Sequence, residues 1–499
     1  MMAFPPHRIA VPLLLAWLLC LPALPALAQG KSAAEEPEDI LSGFDDPLPE
    51  DTPEKPPDAV PDADFESGFE ETPLEAARPT EAEEGEPDAA QPFWELGGFI
   101  RLDGSYNFAH KAPEPGQTDY RGLSKLRLAL QLELSLQLAE NWRAFISGQA
   151  FRDFAYGING REQYTQAVLD QHEDEAEFRE VFLLGTPIAS LDAKVGRQIV
   201  VWGKSDNIRV VDVLNPLDNR EPGLTDLEDL RLPVTMTRLD YYFGDWSLTG
   251  IAVHEVRFNK DPAPGSDFFP FDPPPPEVLP DDGGENTEYA AALSGIFSGW
   301  DLAFYWAQVF DDQAHVEDID PGPGEEQALV HARITMVGAA VNVALGNWLL
   351  KSEAARFTGL EFFTVPERTF TRVDGLLGAE YAGITDTTLS FEAVDRHLFE
   401  FDKALEQEPI RQSKDVNQYV LTYRGSFLRE QLDLVAVLSF FGAKGEQGSL
   451  QRYSATYELA TALDLTGGVV LFTPGEGENF LLVSGRDNDR AFFELKWSF

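Results

Sequence analysis

Residues 123–140 read LSKLRLALQLELSLQLAE, and the spacing of the leucines in this stretch decides the fold. Leu126, Leu128, Leu130, Leu132, Leu134, Leu136 and Leu138 share one face of an extended chain, while Lys125, Arg127, Gln131, Glu133, Ser135 and Gln137 share the other. A helix would scatter these leucines around its circumference, whereas a strand sorts them onto one side. At about 3.3 Å per residue, positions 126–138 extend about 43 Å; with the tilt near 40° of a membrane barrel they climb roughly 33 Å, enough to cross the apolar core of a bilayer.

Weaker copies of the pattern follow. Val330, Ala332, Ile334 and Met336 alternate with His331, Arg333 and Thr335, and Leu432, Leu434, Ala436, Leu438 and Phe440 oppose Gln431, Asp433 and Ser439. Tight connections (AENW, TPIAS, FGDW, FSGW, LGNW, GITDT, FLRE, ATAL) alternate with long ones rich in Pro, Gly, Asp and Glu. The runs number about 18, or 16 if two of the weaker ones are not strands, and short turns on one side with long loops on the other mark a bacterial outer-membrane barrel. The expected fold is therefore an all-β, transmembrane antiparallel β-barrel over residues 93–499.

The chain's end supports this. In DRAFFELKWSF, residues 489–499, Ala491, Phe493, Leu495, Trp497 and Phe499 alternate with Arg490, Glu494, Lys496 and Ser498, and only Phe492 breaks the rule. Left exposed in a soluble protein, such a strand would template aggregation; pairing with the first strand removes that edge. It also looks like the terminal aromatic signal read by the barrel-assembly machinery. Trp142, Trp246, Trp300 and Trp348 directly follow tight turns, and Trp94 and Trp497 flank the barrel, so six tryptophans are expected at one membrane interface.

The other end carries HRIAVPLLLAWLLCLPALPALAQG, a basic start, a short apolar run and an Ala26-Leu27-Ala28 exit before Gln29. This is the pattern of a secretory signal, residues 1–28, and it takes the only cysteine, Cys20, with it. Between residues 29 and 92 stand 21 Asp and Glu against Lys31, Lys55 and Arg78. That charge, with many prolines, predicts a disordered acidic tail, placed in the periplasm by the barrel's even strand count. SGFDDPL (42–48) and SGFEETPL (67–74) repeat one phrase within it, either as a duplicated spacer or as a bivalent docking motif in which Phe44, Asp45, Phe69 and Glu70 would grip a periplasmic partner.

One long connection stands out at residues 195–233, VGRQIVVWGKSDNIRVVDVLNPLDNREPGLTDLEDLRLP. Arg197 shares its face with Val195 and Ile199, and a bulge near Gly196 would turn it inward. Arg209, Asp212, Asp218, Arg220, Glu228, Asp229 and Arg231 are too many charges for lipid contact, so the segment either caps the mouth or folds into the lumen as a constriction selecting by charge and size. Its Gly-Arg-Gln strand, Trp202-Gly203 and Asn215-Pro216 turn resemble the signature of an uncharacterised family of Gram-negative outer-membrane proteins, defined as a domain of unknown function. Members of that family are often encoded beside RND-type exporters and a LolB-like lipoprotein. The resemblance implies traffic in lipids or other hydrophobic compounds and transfers no site residues.

Inward-facing candidates on the wall are Lys125, Arg127, Glu133, Arg333, Lys351, Glu353, Arg372, Asp374, Glu380, Glu392, Arg424 and Arg452, of both signs as a wet lumen requires. From these and the long connection, Arg197, Arg209, Asp212, Asp218, Arg220, Arg127, Glu133, Arg333, Arg372 and Glu380 are the pore or constriction candidates. In residues 258–284, Phe268, Phe269 and Phe271 form an aromatic cluster that either meets an apolar ligand or, as is commoner, packs the barrel mouth. Residues 163–178 are expected to form a short loop helix carrying a solvated His172, with no second His or Cys at metal-ligand spacing.

No G-x-S-x-G, H-E-x-x-H or phosphate loop occurs, so neither an enzyme nor a cofactor is indicated. The chain's 85 acidic against 38 basic residues disfavour a nucleic-acid partner. Two readings remain: an outer-membrane channel passing small or hydrophobic solutes, or the outer-membrane station of an RND-linked trafficking system. An outer-membrane hydrolase ranks below both. Partners common to either reading are outer-membrane lipids and the barrel-assembly machinery.

Overall fold

The computed structural model describes residues 93–115, 117–225, 230–320, 326–408, 411–475 and 480–499. The signal and acidic-tail segments lie outside them. Eighteen strands form one antiparallel sheet: β1 (Trp94–Asn107), β2 (Gly122–Ala139), β3 (Trp142–Asp153), β4 (Asp174–Ile188), β5 (Leu191–Gln198), β6 (Val234–Phe243), β7 (Trp246–Val253), β8 (Glu288–Phe297), β9 (Trp300–Phe310), β12 (Arg333–Leu345), β13 (Trp348–Leu360), β14 (Phe370–Ile384), β15 (Thr387–Leu398), β16 (Asp415–Phe427), β17 (Leu432–Phe441), β18 (Gly448–Ala460), β19 (Leu463–Pro474) and β20 (Arg490–Ser498). A separate hairpin of β10 (His315–Asp320) and β11 (Glu326–Val330) lies between β9 and β12. Each strand pairs with its chain neighbour, and β1 pairs with β20 from Phe99↔Ser498 to Asn107↔Arg490, so the sheet closes. Phe499 completes the seam by exchanging backbone hydrogen bonds with Gly98 at 3.0 and 3.1 Å.

All eight tight connections in the sequence are strand-to-strand turns. Trp94, Trp142, Trp246, Trp300 and Trp348 each begin a strand, and Trp497 is the penultimate residue of β20, which sets the six rings at the short-turn rim. Leu128, Leu130 and Leu132 on β2, Phe304 on β9, Phe391 on β15 and Phe493 on β20 stand exposed on the outer wall. Large apolar side chains there, with an aromatic rim below, are what a wall facing lipid requires.

Alternation separates the two faces of every strand but does not say which is inside. On β12 the expected assignment is reversed: Ile334 and Met336 are buried, and a Cβ added at Gly338 would touch Val211 of the inward connection, so the apolar set faces the lumen. Arg333 therefore points outward with Thr335 and Val337. It stacks 4.3 Å from Phe310, its partner on β9, and donates to the Thr287 carbonyl at 3.3 Å. The reason is that this part of the interior is dry. The inner faces of β6 to β9 and β12 to β16 supply Met236, Ile251, Val253, Met336 and Phe357, with Ala290, Ala292, Ala303, Ala307, Ala340 and Ala355 between them, to an apolar core packed against the connection after β5.

Candidate functional site

Residues 199–233, between β5 and β6, run into the barrel and are tied to the wall in two far-apart places. The first tie begins where Trp202 packs on Tyr305 of β9, ring centres 5.0 Å apart. Gly203 follows with φ +96°, and a Cβ there would lie 2.8–3.0 Å from the Glu353 carboxylate oxygens, so only glycine fits. That turn aims successive backbone N–H groups at the wall. Lys204, Ser205 (2.8 Å) and Val211 (3.4 Å) donate to Glu353 on β13. Asp206 (2.9 Å) and Asn207 (3.1 Å) donate to Glu392 on β15. Lys351 bonds Asp206 at 2.7 Å and lies 3.6 Å from Glu380; Lys204 reaches Asp301 of β9 at 2.7 Å. The alanines of the wall let the backbone come close enough for Val200, Ile208, Val210, Val211 and Leu214 to bury beside these bonds.

The middle is held by its own polar groups. Arg231 donates to Asp212 at 2.9 Å with both side chains buried, and Arg209 donates to the carbonyls of Asp212 (2.9 Å) and Asn215 (2.8 Å). Asn215 joins the two ends of the connection, accepting from Val200 N–H at 2.8 Å and donating to the Leu232 carbonyl at 2.8 Å.

The second tie is on β2 to β4 and β18 to β19. Arg220 pairs with Asp218 (2.5 Å) and with Glu175 of β4 (2.7 Å). Glu221 sits between Lys125 and Arg127 of β2, the latter at 2.8 Å; Arg127 also lies 4.1 Å over Phe151 and 3.6 Å from Asp153. Burial opposes the charge on Glu221, but Arg127 and Lys125 outweigh it and hold the carboxyl well below the usual carboxylate range. Gly223 and Leu224 rest against Val470 and Leu450. Between β13 and β15 at one end and β2 and β18 at the other, the segment bridges the lumen.

A second connection, residues 254–287 between β7 and β8, lies across this bridge. It pairs with it through Lys260 N–H to the Leu217 carbonyl (2.9 Å) and Asn219 N–H to the Lys260 carbonyl (2.8 Å). At its tip Asp267 accepts from Arg490 of β20 at 2.8 Å, and Phe268 packs on Phe472 with the Arg490 guanidinium 4.5 Å from its ring. Phe268 thus packs the mouth as expected, while Phe269 and Phe271 meet edge to face at 5.4 Å. His172, in a helix over Gln166–His172, is buried rather than solvated. Its Nε2 is 3.4 Å from the Ala263 N–H of the same tip, and burial pushes its pKa down to about 4, so it stays a neutral acceptor.

The half of the lumen nearest the short turns is lined instead by polar groups. Arg101 pairs with Asp103 (3.1 Å) and lies 3.7 Å from Glu494, and Gln131 donates to Glu133 at 2.6 Å. Arg424, Asp433, Thr388 and Ser426 border a recess of about 480 Å³ at that end.

Of the pore candidates, Arg209, Asp212, Asp218 and Arg220 lie in the bridge, Arg127 clamps it, and Glu133, Arg372 and Glu380 are on the inner wall, Arg372 bonding Asp374 at 2.8 Å. Two are placed elsewhere. Arg333 is outside, as above, and Arg197 keeps the outer face, paired across to Val181 and Thr235 with no register shift at Gly196, and bound to Glu255. Glu228 and Asp229 fall outside the described residues, as do Phe44, Asp45, Phe69 and Glu70. The anchoring roles of Glu353, Glu392, Asn215 and Glu221 were missed. For the first two a signal existed, a carboxylate sharing the inward face with Ala355 and Phe357 in KSEAARF and with Val394 in LSFEAVD.

A closed sheet with an apolar outer wall, an aromatic rim and inward-folded connections defines an outer-membrane β-barrel. The chain belongs to the family described as protein of unknown function DUF1302, whose model matches residues 103–499. No curated protein matches it. Among solved structures it is similar to Acinetobacter baumannii OccAB2, with 10% identity, 81% of this chain and 98% of that chain covered, and a TM-score of 0.48. A BenF-like porin from Pseudomonas fluorescens Pf-5 gives 12%, 81%, 97% and 0.47, and Pseudomonas aeruginosa OpdK, in a structure with vanillate, gives 10%, 81%, 98% and 0.45.

Proposed function

We propose that the protein is an outer-membrane channel for small hydrophilic solutes, with residues 199–233 as its constriction. The observation that carries this is the bridge itself, tied by Glu353 and Glu392 to one wall and by Glu221 to another. Arg127, Arg209, Asp212, Asp218 and Arg220 set the aperture by fixing that bridge, while Glu133, Arg372 and Glu380 give the wall its charge. A short-turn half lined by Arg101, Asp103, Glu494 and Arg424 offers a hydrophobic solute no dry path, which favours the channel over traffic in lipids. The β20 strand is assigned to recognition by the assembly machinery, and the repeated phrase around Phe44 and Phe69 to a periplasmic partner.

Planar-bilayer recordings test the reading. The natural protein should give small, discrete, salt-dependent conductance steps. Glu353→Gln with Glu392→Gln removes the charge and replaces one acceptor oxygen on each side chain with an amide N–H that faces a backbone N–H, so segment 203–211 should come off the wall and the steps should grow severalfold. Absence of conductance from both proteins would overturn the channel, and equal steps would overturn the bridge as its constriction.

A further inference from the structure

Four arginines on the barrel strands point outward among the described residues. Arg152 pairs with Asp174 at 2.5 Å, Arg197 with Glu255, and Arg333 with the Thr287 carbonyl and the Phe310 ring. Arg356 is exposed and has no hydrogen-bond or ion-pair partner among those residues. Its cross-strand neighbours are Val337 on β12 and Val373 on β14, and the next outward row toward the short turns is Ala339, Ala354 and Gly375. The row toward the long loops is Thr335, Thr358 and Thr371, three hydroxyl side chains abreast.

Depth decides what such a group can meet. Arg356 is eight residues above Trp348 of the aromatic rim, which at about 3.3 Å per residue and a tilt near 40° places it roughly 20 Å up a band about 25 Å tall. A guanidinium there is costly if left in hydrocarbon, but its long side chain reaches the upper boundary, level with the threonine row. The groups at that level in the outer leaflet are lipid phosphates. A planar, always charged fork suits a phosphate better than it suits water at an apolar wall.

We propose that the outer faces of β12 to β14 form a binding site for the phosphate of an outer-leaflet glycolipid, with Arg356 as the charged contact and, as hydroxyl donors, Thr371 and Thr358, the latter turning from the Thr335 carbonyl to which it donates at 3.4 Å. The site is distinct from the lumen, and the channel reading can fail without it.

Native mass spectrometry of the full barrel released from detergent, with added bisphosphorylated lipid A or its dephosphorylated form, tests it. The natural protein should retain the phosphorylated lipid, Arg356→Gln should bind it about tenfold more weakly, and Arg356→Lys should fall between. Thr358→Val with Thr371→Val should weaken binding too, as a second variant that leaves the charge in place. The dephosphorylated lipid should bind all four proteins alike, and the conductance of Arg356→Gln should equal that of the natural protein. Undiminished binding of phosphorylated lipid by Arg356→Gln would overturn the proposal. So would inorganic phosphate binding as tightly as the lipid, or a dimer of the natural protein that Arg356→Gln abolishes, which would give the arginine to a carboxylate of a second copy.

Discussion

Phe492 breaks the alternation of the last strand because its ring has a place to fill inside. It pairs across to Gly468 on β19, where an added Cβ would lie 2.5 Å from that ring, and Arg452 stands 5.3 Å above it. The bridge contains a pair with a larger stake. Arg231 and Asp212 are both withdrawn from water, and Arg209 also lies 3.2 Å from the Asp212 carboxylate, so removing Asp212 strands the Arg231 charge in a dry site whereas removing Arg231 leaves Asp212 a second cation. Asp212→Leu should therefore destabilise the barrel by about 3–5 kcal/mol, while Asp212→Leu with Arg231→Met should restore most of the loss, since Arg209 keeps its two carbonyl acceptors. Urea unfolding followed by tryptophan fluorescence in detergent measures both, and equal losses would show that the charge is not what matters. At this scale Arg209, Asp212, Asp218, Arg220 and Arg231 of the bridge could be picked out from the sequence but not paired, and Lys204, Asp206 and Glu221 could not be picked out at all. Arg209, Asp212 and Arg231 are brought together by a turn at Asn215 whose side-chain bonds to Val200 and Leu232 leave no periodic trace.

Strands were legible where both neighbours of an element were already implied. The eight tight turns, the seam from β1 to β20 and the lipid face of β2 follow from alternation plus turn chemistry. The inner face of β12 did not, because alternation assumes a wet interior and the bridge replaces water there with Val211 and its neighbours. Loops obey longer-range logic, and the tip of residues 254–287 shows it in the burial of His172 against Ala263. The native imidazole stays neutral down to about pH 4, whereas an unfolded one gains its proton near 6.5. Only the unfolded or released state takes up a proton between those values, so the contact is at full strength above about 6.5 and weakens as pH falls toward about 4, by roughly 3 kcal/mol in all. Trypsin should then cut after Lys260 faster at pH 5 than at pH 7, after correction for the enzyme's own pH dependence. His172→Gln, which titrates in neither state, should show no such change.

For the molecule as a whole, closure is the step on which membrane insertion depends, since an unpaired edge in hydrocarbon leaves backbone donors and acceptors unsatisfied. The last pairings are short of alternatives. Phe99 to Asn107 of β1 must find Arg490 to Ser498 of β20, and Phe499 adds the outermost exchange with Gly98 at the short-turn end while its ring packs 5.3 Å from Trp497. Deleting Phe499 removes those two backbone bonds and one aromatic of the rim, yet leaves all nine β1–β20 residue pairs intact. Two consequences separate by timescale. Assembled barrel should lose only about 1–3 kcal/mol, as expected for two hydrogen bonds at a wet interface. Assembly in cells should suffer far more if the terminal aromatic is itself read by the insertion machinery, because recognition precedes pairing. Comparing heat-modifiable barrel recovered from cells with barrel refolded in detergent distinguishes the two. A deletion that lowers both yields equally makes Phe499 a seam residue alone, and one that lowers only the cellular yield makes it the signal.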